Sequence, residues 1–186
     1  MIPSGASWVS KFPTSRSLDD LVEPFRTNAK GFVSALRAAS AAVAISDTLR
    51  PPERAYLMHF SFAIARENAD PTTVPAMAGV DIQWAHTTAA GTADLAASKA
   101  GAEQMIQGYG IVFKPALTSR HTDGKAVDMD ISWQGNLVIA KPDGTSKTIS
   151  STPRTGAGNG DIQAVGSSYG VIKLLSDPPH WSSDGH

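Results

Sequence analysis

Ser119-Arg120-His121-Thr122-Asp123-Gly124-Lys125-Ala126-Val127-Asp128-Met129-Asp130-Ile131-Ser132 is the stretch from which the organisation of the chain is read. Its first half is turn-like, and Gly124 lets the chain fold back. From Ala126 to Ile131 apolar and polar residues alternate, the period of a half-buried strand. Downstream, Gln134-Gly135-Asn136 reads as a turn and Leu137 to Lys141 as the returning strand. Lys147 to Ser150 reads as a third strand after an Asp143-Gly144 turn, Gly160 to Tyr169 as a short helix and Val171 to Leu175 as a last strand.

Upstream the period changes. Between Leu18 and Ala42, Leu21, Val22, Phe25, Phe32, Val33 and Leu36 recur at helical spacing, and Pro24 marks the helix start. Ala42 to Thr48 is a short strand. Pro51 and Pro52, with Glu53 close behind, open a second helix that carries Tyr56, Leu57, Phe60 and Ile64 on one face. Residues 69–92, rich in Pro, Thr and Gly, read as a long loop, and Ala93 to Tyr109 as a third helix stopped by Gly108 and Gly110. Residues 1–17 read as an irregular lead-in. Helices first and strands later predict an α+β fold, an antiparallel sheet with helices packed on one face, in a single domain over residues 1–186.

Composition excludes several classes. With 41% apolar and 18% charged residues the chain is neither a disordered tail nor a coiled coil. Sixteen Lys and Arg against seventeen Asp and Glu, with no basic run, argue against a nucleic-acid partner. The absence of cysteine removes disulfides, thiolate-held metals and thiol nucleophiles. Ala38 to Ile45, the most apolar run, is too short to insert in a membrane. Met1 to Ser15 has no basic n-region and no apolar h-region, so the expectation is synthesis in the cytoplasm without a signal peptide.

Five histidines are present, and two keep unusual company. His121 stands seven residues before Asp128, which opens a strand. In Asp177-Pro178-Pro179-His180-Trp181 an Asp stands three residues before a His, and the two prolines hold the segment extended. Two His and one Asp make a workable zinc ligand set that leaves the fourth position for water, and the remaining Asp is then the group that handles protons. His59, on a helix with Tyr56 and Phe60, reads as structural. Trp84 and His86 in the long loop read as packing, and His186 is expected to fray.

The pattern S-x-H-x-x-G-x-A-x-D on Ser119, His121, Gly124, Ala126 and Asp128, followed by Asp177, His180 and Trp181, resembles the zinc D,D-peptidases. These are the D-alanyl-D-alanine carboxypeptidases, the D-Ala-D-Ala dipeptidases of vancomycin resistance and the peptidase-type phage endolysins. The resemblance implies a Hedgehog/DD-peptidase-like fold, with Zn2+ held by His121, Asp128 and His180. It implies Asp177, where many members have Glu, as the general base. Thr48-Leu49-Arg50-Pro51-Pro52 is similar to the family's segment with a substrate-steadying arginine, which makes Arg50 the candidate for a catalytic and substrate-binding cation. Ser119 is expected to support the site beside the substrate, and Trp181 to line the cleft or to belong to the core.

The function so implied is hydrolysis of peptidoglycan stem peptides by a monomeric metallopeptidase. Without an export signal, an endolysin acting on the cell wall after release ranks first. An injected wall-targeting effector and a D-Ala-D-Ala carboxypeptidase or dipeptidase are the enzymatic alternatives. A non-catalytic zinc-binding module like that of Hedgehog is the alternative from another class.

Overall fold

Phe25, Ala29, Phe32, Val33 and Leu36 fall on one face of a helix and are all buried, which is why this segment is helical and where it docks. In the computed structural model, which describes all residues from Met1 to His186, the regular elements follow in chain order. They are β1 (Ile2–Pro3), α1 (Phe25–Ala38), β2 (Ala42–Asp47), α2 (Pro52–Arg66), β3 (Ile82–Gln83), α3 (Leu95–Tyr109), β4 (Ala126–Ser132), β5 (Leu137–Ala140), β6 (Ser146–Ile149), α4 (Gly160–Ser168), β7 (Ile172–Lys173) and β8 (His180–Ser182). The class is α+β, with mainly antiparallel pairing. No helix is long and apolar enough to cross a membrane.

The chain divides into two compact units, Met1–Pro13 with Pro51–Thr118, and Thr14–Arg50 with Ser119–His186. In the first, α2 and α3 enclose a core that includes Trp8, Leu57, Trp84 and Met105. Asp94 caps α3 by accepting the Ala97 N–H, and Gly110 ends it in the left-handed region. The lead-in is more ordered than its composition suggested. β1 pairs in parallel with β3, and Trp8 is buried with its indole N–H donated to the Pro3 carbonyl. A β-carbon on Gly101 would stand 2.4 Å from the Ser4 carbonyl oxygen, so the missing side chain is what lets this segment lie against α3.

In the second unit the sheet runs β2-β4-β8-β7, antiparallel throughout. Val127, Met129 and Ile131 of β4, with Trp181 of β8, face a core shared with Phe32, Leu36 and Val165 of the helices. Asp128 therefore points to the opposite face. Leu137–Ala140 does not return along β4 as expected; it pairs with β6. The reason is that Ile131 and Trp133 are already engaged by the segment after β6, through Gly156 N–H to Ile131 and Trp133 N–H to Arg154. The last expected strand shrinks to Ile172–Lys173, and β8 was not foreseen.

Gly101→Ala tests the close approach in the first unit. Alanine gains up to about 1 kcal/mol of helix propensity, but overpacking against an immovable backbone oxygen costs about 1–3 kcal/mol. A lowered midpoint in thermal unfolding is the expected result.

Candidate metal centre

Three strands place three polar residues in one row. The register pairs Asp47 with Asp128 and Asp128 with His180, so all three sit side by side on the face away from the core. His121 arrives from the turn before β4. There the Ser119 carbonyl accepts the Thr122 hydroxyl at 2.8 Å, and the Ser119 N–H donates to Thr122 Oγ1 at 2.7 Å. Gly124, at φ +66°, closes the turn.

His121 and His180 are buried and Asp128 half-buried. His121 Nε2 lies 3.1 Å from Asp128 Oδ1 and 3.1 Å from His180 Nδ1, and His180 Nδ1 lies 3.1 Å from the same Oδ1. The outer ring nitrogens decide what this triangle is. His121 Nδ1 is 2.8 Å from the Thr48 carbonyl oxygen, and His180 Nε2 is 3.1 Å from the main-chain oxygen of His186. Both oxygens only accept, so both outer nitrogens carry the hydrogen. In the neutral rings the inner nitrogens are then lone pairs. Two imidazole lone pairs and a carboxylate oxygen converge on one point, and the group can hold a metal ion.

Protonation follows the same geometry. Burial pushes the His121 pKa down, but the hydrogen bond and charge of Asp128, with Asp47 and the Thr48 carbonyl, outweigh it and the net shift is upward. Burial likewise raises Asp128, and the two imidazoles outweigh it, holding the carboxyl far below the usual range.

Two residues missed in the sequence complete the surroundings. Asp47 Oδ2 accepts from Arg50 Nη2 at 2.9 Å, while its buried Oδ1 has no hydrogen-bond partner and stands 3.6 Å from His121 Nδ1. Its only sequence signal was an acid ending an apolar strand three residues before Arg50. Lys173 is buried, and its ammonium donates to the carbonyls of Leu174, Asp177 and His180. It clamps the turn that leads into β8, and a lysine in a short strand gave no hint of this.

The structure thus brings His121, Asp128 and His180 together and sets Arg50 beside them through Asp47. The Arg50 N–H also donates to the His121 carbonyl at 3.1 Å. Asp177 lies in the turn before His180, with an exposed carboxylate that makes no hydrogen bond to the triad. Ser119 orders the His121 turn, as its hydroxyl accepts the Thr122 N–H at 3.3 Å. Of the two positions open to Trp181, cleft and core, the side chain takes the core. It is 0% exposed and packs on Phe32, because alternation along β8 turns it away from His180, so it lines no cleft. His186 does not fray; its N–H donates to Ser182 Oγ at 3.0 Å. In the first unit His59 and Trp84 are tied by hydrogen bonds to the Pro115 carbonyl and the Tyr56 hydroxyl, in keeping with structural roles. Compared with known proteins, the chain matches no family model and no curated sequence.

A pH prediction follows from the raised pKa of His121. In chelated protein its proton bridges the triad, and this stabilisation is full below the ordinary value of 6.5 and lost as pH rises through the raised pKa. A metal ion needs the unprotonated ring. The gap in melting temperature between metal-loaded and chelated protein should therefore widen from about pH 6 to about pH 8. A gap that narrows contradicts the assignment.

Proposed function

We propose that the chain is a zinc-dependent metallopeptidase that hydrolyses the stem peptides of bacterial peptidoglycan, acting as a phage-type endolysin does. The observation that carries the metal half of this reading is the convergence of His121 Nε2, Asp128 Oδ1 and His180 Nδ1, each pair 3.1 Å apart. Zinc bonds of about 2.0–2.1 Å make a tetrahedron with edges of about 3.3 Å, close to this triangle. Two nitrogens and one oxygen suit zinc better than calcium or magnesium, which favour more numerous, all-oxygen ligands. Three protein ligands leave one position for water or substrate, the arrangement of catalytic rather than structural sites. The residues present therefore fit the ion. The peptidoglycan half rests on the resemblance carried by Ser119 to Asp128 and Asp177 to Trp181.

A bound zinc ion would supply Lewis acidity, polarising the scissile carbonyl and making a water molecule acidic near neutral pH. The chain's residues would do the rest. His121, Asp128 and His180 hold the ion, and the Thr48 and His186 oxygens keep the two rings turned toward it. Asp177 takes the proton from the attacking water and returns it to the leaving amine. Its carboxylate is exposed, and its backbone is hydrogen-bonded within the turn that leads to His180. Arg50 steadies the carbonyl oxygen as negative charge grows there. Asp47 holds the guanidinium by one Nη, which leaves its other donors for substrate.

One observation favours a second reading. The Asp177 carboxylate makes no hydrogen bond to the triad side chains, as expected of a zinc-binding module without turnover. Release of new amino groups from purified peptidoglycan, with and without a chelator, separates the two. Chelator-sensitive release supports the peptidase; none, from protein that binds zinc, supports the module.

Four variants sharpen the test. His121→Ala and His180→Ala should lose most bound zinc by metal analysis. Asp177→Asn, nearly isosteric but unable to take a proton, should keep zinc and fold while kcat falls by about a hundredfold or more. Arg50→Ala should lower kcat and kcat/KM together by about a hundredfold. A raised KM with unchanged kcat would instead make Arg50 a ground-state binder.

A further inference from the structure

We propose that the Ser182–His186 turn, clasped to Arg120, is a positioning element of the metal centre that selects the tautomer of His180. The proposal rests on the metal reading of the triad and is independent of peptidase activity. An imidazole carries its proton on either nitrogen. With the proton on Nδ1, His180 would aim a hydrogen into the triangle, and no ion could share that position. The main-chain oxygen of His186, 3.1 Å from Nε2, draws the proton to the far side of the ring.

Several contacts hold that oxygen in place. Ser182 Oγ accepts both the Gly185 N–H at 2.9 Å and the His186 N–H at 3.0 Å, folding the segment back over β8. Gly185 sits at φ +80°, and a β-carbon there would stand 3.0 Å from Ile172 Cγ2. Asp184 Oδ1 accepts the His186 N–H at 3.3 Å. The same carboxylate is gripped by Arg120, through Nε to Oδ1 at 3.1 Å and Nη2 to Oδ2 at 2.5 Å, the fork geometry that only arginine offers.

Arg120 is the residue before His121, and its Nη1 also reaches Asp123 Oδ2 at 3.2 Å within the His121 turn. The Ser183 N–H adds a bond of 3.0 Å to the Lys125 carbonyl. One guanidinium thus braces the turn that presents His121 against the turn that sets His180. An exposed ion pair contributes little to stability on its own, about 0–1 kcal/mol. What this pair fixes is the position of an oxygen two residues further on.

The test measures zinc affinity by chelator competition and the melting temperature of the chelated protein, in the full chain and three variants. A chain shortened to Asp184 loses the His186 oxygen. It should bind zinc about 10–100-fold more weakly, the usual effect of removing a partner of a ligating histidine, while the chelated form melts as before. His186→Ala keeps the main-chain oxygen and should bind zinc as the full chain does. Asp184→Asn keeps the Oδ1 acceptor but loses the charge facing Arg120, so it should fall between these two. The idea is overturned if the shortened chain binds zinc as tightly as the full chain, or if His186→Ala is as weak as the shortened chain. A full chain that binds no zinc defeats the metal reading itself, a different outcome from equal affinities.

Discussion

The register of three strands is the constraint on which the rest depends. Val127 and Trp181 are partners across β4 and β8, and so are Asp128 and His180, one residue along and on the other face. Alternation makes these two facts inseparable, since a slip of one residue would bury Asp128 and expose Trp181. Burying a large apolar side chain is worth about 1.5–3 kcal/mol, and Val127, Met129, Ile131 and Trp181 are all on the buried face. The apolar side thus holds the polar side in a juxtaposition that it would not adopt alone. Two ring nitrogens and a carboxylate oxygen at mutual distances of 3.1 Å repel as lone pairs until a cation joins them.

Around that point the chain supplies acceptors rather than donors. The Thr48 and His186 oxygens take the outer ring hydrogens, and the Asp47 carboxylate adds negative charge 3.6 Å from His121 Nδ1. This enriches the electron density that the rings offer inward. The nearest cations are held off the centre by other partners: Arg50 by Asp47, Arg120 by Asp184, Lys173 by three carbonyls. Each also braces a segment that carries a member of the triad or its candidate base. Stability and chemistry therefore draw on the same contacts in this unit, while the first unit rests on a separate core around Trp8, Leu57 and Met105.

Much was legible in the sequence alone. The apolar spacing from Phe25 to Leu36, the Pro51-Pro52 helix start and the alternation from Ala126 to Ser132 all describe elements that form. The residue types and order of His121, Asp128 and His180 pointed to one cluster, and they meet in one. Such features are local: periodicity, proline and glycine chemistry, and donor type belong to short stretches of sequence. β8 escaped because three residues carry no readable period, and the β5 pairing escaped because a hairpin reading ignores a competitor twenty residues downstream.

What only the tertiary structure decided is partnership at long range. The Thr48 carbonyl meets His121 across 73 residues, and Arg120 meets Asp184 across 64. Nothing in the composition of either segment announces the other. Trp181 is the sharpest case. Its neighbour His180 made a cleft position plausible, yet one step along a strand reverses the direction of a side chain, and the sheet then decides which face is core. Sequence by itself determined which residues were able to bind a cation. The fold determined which nitrogen of each ring is presented, because that depends on a backbone oxygen whose position is fixed by contacts far away in the chain.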